Sequence, residues 1–188
     1  MKYVLVFLGV LTMSVPTFGK SYLGDTTLSS KKFDQLTIVG VANLDAVIAK
    51  DISITGPLKA SNITTDTFSV TGPVSLTDVT SDTVTITGYS EFTNVSVSKS
   101  LTITGMLNAK RSVFNAITLT MSESVLADSS AKSIVVKHPN SDEARQKLML
   151  YGNSHIDTVE FESGQGEVHL YGANAKVANV KGAEVIQH

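Results

Sequence analysis

The residues best suited to acid–base or metal chemistry lie in the last quarter of the chain. Two histidines and four carboxylates lie close together there: His155, Asp157, Glu160, Glu162, Glu167 and His169. Folding that brought imidazole and carboxylate groups together would create a metal site or a proton-transfer site. The spacing, however, matches no ligand pattern such as HExxH, and charged residues also have to cover a solvated surface. We therefore interpret this group as a solvated terminal face and keep a functional site there as the alternative.

A more regular feature is a series of hydroxyl side chains. Five apolar segments each carry a pair of Ser or Thr residues that alternate with apolar residues: Ser53/Thr55, Ser69/Thr71, Thr85/Thr87, Thr102/Thr104 and Thr118/Thr120. Because successive side chains of a strand point to opposite faces, both hydroxyls of a pair lie on one face. Stacked strands would align the pairs in two parallel files on a flat, nearly uncharged surface. The eight threonines of these pairs are the candidate interaction face, although threonine is also a good strand former that avoids like-charge stacking.

Several kinds of site are excluded by composition. The chain has no cysteine, which removes disulfides, thiolate metal sites, a cysteine nucleophile and a lipid anchor on an N-terminal cysteine. It has no P-loop, no GxSxG and no GxGxxG after a strand, so nucleotide binding has no basis. A formal net charge of −2 without a Lys/Arg cluster argues against nucleic acid as a partner. We expect no enzymatic activity, no catalytic or metal-binding residue, and no cofactor.

The elements that hold these residues follow from an internal repeat. Glycine recurs after sixteen residues three times and then after seventeen: Gly40, Gly56, Gly72, Gly88 and Gly105. The apolar column two residues before this repeat position holds Ile38, Ile54, Val70, Ile86, Ile103, Leu119 and Val135. Three further apolar columns begin at Leu36, Leu44 and Val47 and recur with the same period. The alternation within each short segment is that of a strand with one buried face.

The fold follows from what one coil cannot do alone. A single coil cannot bury its apolar face, whereas stacked coils bury the columns as a continuous core and pair their strands at about 4.8 Å. The repeat is too short for helix-containing repeats, which run from about 20 to 47 residues. The sequence therefore predicts an all-β fold: a single-stranded parallel β-solenoid, wound as a right-handed β-helix, with about 16 residues per coil and eight or nine coils. The glycine marks a corner of each coil.

A polar column shares the same period at a second turn. It contains Asn62, Asp78 and Asn94. Stacked side chains there would hydrogen-bond from coil to coil as an asparagine ladder. Three independent turn residues explain the column equally well, and the sequence leaves both interpretations open.

The chain divides into four parts. Residues 1–19 have the features of a signal peptide: a basic start, an apolar stretch over residues 3–13, Pro16, and small residues before a cut at Lys20. The apolar stretch is shorter than the roughly 18 residues that span a bilayer, so we expect cleavage and no transmembrane segment afterwards. Residues 20–32 are predicted to be an N-terminal polar cap and 33–137 the regular coils. Residues 138–188 are predicted to be irregular, more charged terminal coils or a cap, with a separate small β domain as the alternative.

The paired hydroxyl files resemble the TxT arrays of insect β-solenoid antifreeze proteins, in which regularly spaced methyls and hydroxyls order water. The resemblance covers five coils and one strand per coil, with Ser in place of Thr at Ser53 and Ser69, and without the disulfides of the beetle proteins. It implies ice binding as an alternative function. Polysaccharide lyases and hydrolases also use parallel β-helices, so a small polysaccharide-active enzyme using residues such as Glu162 and His169 is a further alternative.

The glycine-ended segments VTITG (84–88) and LTITG (101–105) resemble those of short-coil bacterial envelope proteins, namely head-GIN-type adhesin domains and bactofilin-like polymerising solenoids. The match is one of pattern without a residue-specific motif, and the leader departs from bactofilins, which are cytoplasmic. The resemblance implies a rigid, non-catalytic element of the cell envelope. We therefore expect an exported scaffold or interaction module, periplasmic or at the cell surface or secreted, that contacts an unknown protein or glycan. Support of host interaction and end-to-end homo-oligomerisation are left open.

Overall fold

All strands of the described chain belong to one parallel sheet. The computed structural model describes residues 19–138 and 145–188. Over these residues the sheet winds into a β-solenoid of about ten turns, with about 16 residues per turn. The all-β solenoid predicted from the repeat is therefore confirmed. The predicted signal peptide, apart from Gly19, lies outside the described residues.

The strands change in length along the rod. In chain order they are β1 Lys20–Leu23, β2 Thr26–Val39, β3 Ala42–Thr55, β4 Leu58–Thr71, β5 Val74–Thr87, β6 Ser90–Thr104, β7 Leu107–Lys110, β8 Val113–Thr120, β9 Glu123–Ala127, β10 Ser130–Lys137, β11 Lys147–Tyr151, β12 His155–Phe161, β13 Gly166–Tyr171, β14 Lys176–Lys181 and β15 Ala183–Gln187. Each strand from β2 to β6 runs through a whole coil. From β7 onward each coil consists of two shorter strands.

Neighbouring coils pair in register. Thr55 of β3 lies beside Thr71 of β4, and Thr71 lies beside Thr87 of β5. Beyond β6 the ladder continues along two tracks, β6-β7-β9-β11-β13-β15 and β6-β8-β10-β12-β14. Tyr151 lies beside Tyr171 on the first track, so the residues after 145 extend the same sheet.

The solenoid has about ten turns rather than the eight or nine predicted, because the N-terminal residues also form a coil. Residues 20–32, predicted to be a polar cap, contain β1 and the first part of β2. Lys20 of β1 pairs with Leu36 of β2, and Thr26 of β2 pairs with Ala42 of β3. Ten turns at about 4.8 Å make a rod about 48 Å long.

Each coil has three faces, which the burial pattern defines. The inward residues of β4 form three pairs: Leu58/Ala60, Ile63/Thr65 and Phe68/Val70. Two consecutive residues that are not buried lie between one pair and the next, and they mark the corners between faces. The only polar member, Thr65, places its hydroxyl 2.9 Å from the carbonyl oxygen of Lys50 in the preceding coil. We number the faces in chain order, so that the third face is the segment that ends at the glycine corner.

The glycine corner requires glycine for two reasons. Gly72 has a φ of +143°, which side-chain-bearing residues rarely adopt. A Cβ atom added there would lie 2.5 Å from the carbonyl oxygen of Gly56 in the preceding coil. Gly40, Gly56, Gly88 and Gly105 repeat both features. The close stacking of backbone on backbone therefore excludes a side chain at this corner.

The predicted polar column lies at a second corner, where the chain also turns through the left-handed region. Asn62, Asp78 and Asn94 have φ values of 55° to 56°, a conformation that Asn and Asp tolerate well. The Nδ2 of Asn94 donates to Asp78 at 2.9 Å, and Arg111 donates to Asn94 at 2.9 Å. Asn62 instead donates to Asp45 at 3.0 Å. The ladder interpretation therefore holds from Asp78 to Arg111, while Asn62 is bonded separately.

The predicted apolar columns form the core, with one exception. Val135 was expected to face inward, but it is half-buried on the outer side between Ile134 and Val136, which are buried. That prediction was wrong because Thr120 pairs with Lys137, seventeen residues later rather than sixteen. A shift of one residue exchanges the two sides of a strand.

Candidate interaction face

Both predicted hydroxyl files are present on the outer side of the third face. One file consists of Ser53, Ser69, Thr85, Thr102 and Thr118, and the other of Thr55, Thr71, Thr87, Thr104 and Thr120. Each residue is the direct strand partner of its neighbours in the file. The spacing along the rod is therefore that of paired strands, about 4.8 Å. The structure brings the eight candidate threonines together on one surface.

A third file, which the sequence analysis missed, lies beside these two. Thr67, Thr83 and Ser100 are direct strand partners. They lie two residues before Ser69, Thr85 and Thr102, on the same side of the strands. The third file was hidden because it is short: Asp51 takes its place on β3 and Ala116 on β8. Strands β4 to β6 therefore carry three rows of three hydroxyl side chains. We call these nine residues, with Ser53, Thr55, Thr118 and Thr120, the hydroxyl face.

The hydroxyl groups of this face are not used inside the rod. The hydroxyl bonds between coils in this region come from inward residues such as Thr65 and Ser81, and from Ser98 at the corner before the third face. No side chain of the hydroxyl face hydrogen-bonds to another residue that the structure describes. The file from Thr55 to Thr104 is exposed at every position. The donors and acceptors of this file are therefore available to solvent or to a partner.

Charged residues border the hydroxyl face: Asp51 takes on β3 the place that Thr67 has on β4, and Asp66 directly precedes Thr67. Asp82 and Lys99 lie at the corner that precedes the third face and form an ion pair of 2.8 Å. Hydrogen bonds from Lys99 and Ser98 hold the pKa of Asp82 below its usual value, so the carboxylate is ionised at neutral pH. Both side chains are well exposed, so the pair contributes little to stability. The nine hydroxyl residues of β4 to β6 have no charged residue among them.

An exposed apolar ridge borders the hydroxyl face along the glycine corner. The residues that follow the corner glycines are Val41, Pro57, Pro73, Tyr89 and Met106, and all five are exposed. The exposed fractions of Val41, Tyr89 and Met106 are 41%, 45% and 41%. The backbone beneath stays paired, since the Val74 N–H donates to the Tyr89 carbonyl at 2.8 Å. We call these five residues the corner ridge.

The predicted histidines and carboxylates do not form one site. His155 lies 3.3 Å from Asp157 on β12, and both are exposed. Glu160 accepts a hydrogen bond from Lys181 of β14, and this bond raises the pKa of Lys181. Glu162 is exposed. Within residues 19–138 and 145–188, no group of three or more His, Cys, Asp or Glu residues is placed to hold a metal ion.

The remaining pair, Glu167 and His169, meets His188, which the sequence analysis did not connect to it. His169 Nε2 lies 3.0 Å from the Glu167 carboxylate, and Nδ1 lies 2.9 Å from His188 Nε2. The imidazole planes differ by 12° with centroids 5.2 Å apart, so the rings meet edge to edge. Hydrogen bonds from His169 and Arg145 hold the pKa of Glu167 below its usual value. Both nitrogens of His169 are engaged within the protein.

Aromatic stacking explains why these groups lie where they do. Tyr151, Tyr171 and His188 occupy equivalent positions in successive coils. The rings of Tyr151 and Tyr171 are 4.4 Å apart, and those of Tyr171 and His188 are 4.3 Å apart, with planes within 9° of parallel. The ring faces are directed at one another along the rod. The cluster therefore joins the terminal coils to each other.

Comparison with other proteins gives the solenoid no family. In the two described stretches of chain, no helix is both long enough and apolar enough to cross a membrane. The structure supports the parallel β-solenoid, whereas the likeness to adhesin-like and bactofilin-like coils stays a likeness of repeat pattern. When the chain is compared with protein-family models, with curated proteins and with solved structures, none of the three comparisons finds a match.

Proposed function

We propose that the chain is an exported, non-catalytic rod that uses the hydroxyl face to contact a partner in the cell envelope or at the cell surface. The observation that supports this most is the unbroken register, over five coils, of the two files that contain Thr85 and Thr87. Their side chains make no hydrogen bond to another described residue. The partner is a protein or a glycan.

The contrast with the first face of the same coils supports a role for the hydroxyl face beyond strand formation. The outward column of the first face mixes amide, charged and hydroxyl side chains: Asn43, Lys59, Ser75, Glu91 and Asn108. The identical backbone pairing therefore tolerates varied and charged residues. The second face carries one aligned hydroxyl column, Thr64, Thr80 and Ser96, so the third face is distinguished by having three such columns side by side.

Rigidity is the second support for a binding role. The hydroxyl residues alternate with core residues such as Phe68 and Ile86, which are at most 1% exposed. Each coil is also held by the glycine corner, where backbone stacks on backbone. A surface that is fixed before binding loses little conformational entropy when a partner attaches.

A pair of lysine variants in one strand tests the proposal. Thr87 and Thr80 are both exposed threonines of β5, but Thr80 lies on the second face. We expect wild-type protein to sediment with cell-envelope fractions of its host, Thr80→Lys to behave as wild type, and Thr87→Lys to lose at least tenfold in affinity. Equal binding by the two variants, or no sedimentation of the wild type, would overturn the proposal.

Ice binding is a second candidate, favoured by the same register. Two parallel files of Ser and Thr repeat at about 4.8 Å along the rod, and the files from Thr55 to Thr104 and from Thr85 to Thr118 consist of threonine alone. This candidate requires thermal hysteresis that increases with protein concentration and disappears in Thr87→Lys and Thr104→Lys. Millimolar protein without hysteresis would end it.

A polysaccharide-cleaving enzyme has less support. Its candidate groups are dispersed, since Glu162 is exposed while His169 has both nitrogens engaged. The enzyme hypothesis requires glycan cleavage that is lost in Glu162→Gln or His169→Ala. The proposed rod requires no cleavage of any member of a polysaccharide panel.

A further inference from the structure

We propose that the hydroxyl face and the corner ridge together bind a neutral polysaccharide chain that lies along the axis of the rod. The inference rests on the proposed function, because it assigns a ligand class to the same face. Three properties of the surface point to this class of ligand: its lack of charge, its pairing of hydroxyls with an apolar strip, and its narrow, repeating shape.

The lack of charge selects a neutral ligand. Three rows of hydroxyl groups cover β4 to β6 without a charged residue among them, and Asp82 and Lys99 at the edge neutralise each other. An acidic glycan would meet no unpaired cation here, because Lys99 is paired with Asp82 and the neighbouring Asp51 and Asp66 are themselves acidic. Hydroxyl groups, which both donate and accept, match the hydroxyls of an uncharged sugar.

The corner ridge supplies the second half of a sugar site. A pyranose ring has apolar C–H faces and hydroxyl groups around its edge, so it needs apolar and hydrogen-bonding surface side by side. Tyr89 and Met106 continue the line of Pro57 and Pro73, next to the file that contains Thr87. Small-molecule sites combine a mainly apolar lining with a few placed polar groups in this way. Tyr89 also offers a phenol with an apolar body and a polar tip.

The dimensions favour a linear polymer over a folded partner. Five coils at about 4.8 Å and five residues at about 3.3 Å give a face of about 24 by 17 Å, or about 400 Å². A stable protein–protein interface buries about 800 Å² on each partner. A linear polysaccharide can instead contact the hydroxyl face and the corner ridge in the same way in each successive coil. Many weak contacts of this kind together raise the overall affinity.

The test uses affinity gel electrophoresis with four soluble neutral polysaccharides: hydroxyethyl cellulose, a soluble β-1,3-glucan, xyloglucan and dextran. Alginate is the acidic comparison. We expect at least one neutral polymer to retard the wild-type protein, with no retardation by alginate. Thr87→Lys and Tyr89→Ala should each weaken the interaction at least tenfold, and Thr80→Lys should leave it within twofold. Binding should also be insensitive to salt from about 50 to 500 mM, because surface charges are not involved.

The outcomes separate the ligand class from the proposed function. Absence of retardation by every neutral polymer, preference for alginate, or equal loss in Thr80→Lys and Thr87→Lys overturns the inference. Envelope binding that depends on Thr87 but is abolished by protease treatment of the envelope also overturns it, since the partner is then a protein and the proposed function stands. Unchanged thermal unfolding of the variants shows that the rod is intact, as expected for exposed positions.

Discussion

At the glycine corner the backbone of one coil passes directly over that of the next. A Cβ atom at Gly72 would lie 2.5 Å from the Gly56 carbonyl oxygen, whereas one at Gly24, in the first coil, would meet nothing within 4 Å. Both residues have positive φ values. The two positions therefore separate the cost of the backbone conformation from the cost of the steric clash.

Replacing these glycines by alanine should have unequal effects. Gly24→Ala should cost about 1 kcal/mol, because only the left-handed backbone conformation is penalised. Gly72→Ala should cost about 3 kcal/mol or more, since the coils must also separate locally. Denaturant midpoints of the two variants measure the difference. Similar midpoints would mean that the coils are not stacked at this corner as described.

Inward and outward residues alternate along β5, so two adjacent residues provide a second test of the fold. Ile86 is 1% exposed, and Thr85 is exposed on the hydroxyl face. Ile86→Asp should unfold the rod or destabilise it by several kcal/mol, because it buries an unpaired charge in the core. Thr85→Asp should change stability by about 0.5 kcal/mol or less. Circular dichroism during thermal unfolding gives the comparison, and equal effects would contradict the assignment of inward and outward columns.

At the scale of the elements, the inward-facing residues of a strand could be predicted only where apolar and polar residues alternate. The column through Ile54 and Ile86 was predictable because each of these residues lies between hydroxyl-bearing neighbours. Val135 was not, because the run from Ile134 to Val136 is apolar throughout and carries no mark of which residues face inward. The third hydroxyl file was missed because it covers only three coils: Asp51 takes its place on β3 and Ala116 on β8. The link from His169 to His188 requires the register of the irregular last coils, which no repeat in the sequence provides.

The terminal strands β13 and β15 should respond to acid. The folded-state pKa of Glu167 lies below the ordinary value of 4.5, chiefly because of the hydrogen bond with His169 and then that with Arg145; Lys147 adds to the effect. Its stabilising contribution is therefore present above pH 4.5 and is lost as the pH falls through the lower folded-state pKa. Hydrogen exchange, corrected for its intrinsic pH dependence, should show β13 and β15 losing protection below pH 4.5.

A conservative variant distinguishes this effect from general acid unfolding. Glu167→Gln keeps an oxygen acceptor but removes the titrating charge, so the acid-dependent loss of protection in β13 and β15 should be reduced. Glu91→Gln, on the exposed first face of β6, should leave it unchanged. Identical acid profiles for wild type and Glu167→Gln would show that the carboxylate does not hold these strands together.

On the scale of the whole molecule, the hydroxyl face and the terminal aromatic cluster lie in different parts of the rod. The hydroxyl face lies on β3 to β8, with the corner ridge in the turns from Val41 to Met106. The stacked aromatic rings and the Glu167–His169–His188 chain lie on β11 to β15 and the residue that follows. Each coil contacts chiefly its neighbours, so a change at one end is expected to have little effect on the other. The hydroxyl face can therefore be altered without disturbing the terminal coils.

The whole chain is also predicted to be exported. The signal-like segment over residues 1–19 predicts a mature protein that begins at Lys20. N-terminal sequencing of protein from its host should find that end, and fractionation should place the protein outside the cytoplasm. Protease treatment of intact cells then separates surface from periplasm. An intact leader on cytoplasmic protein would contradict export.

The most direct test of the hydroxyl face as the contact surface uses the absence of cysteine from the chain. A single environment-sensitive fluorophore is attached to Thr87→Cys or to Thr80→Cys, two exposed positions of the same strand on different faces. With host envelope added, the label at position 87 should become protected from iodide quenching, while the label at position 80 should stay accessible. Equal protection of both labels, or protection at position 80 alone, would contradict the assignment of the hydroxyl face as the binding surface.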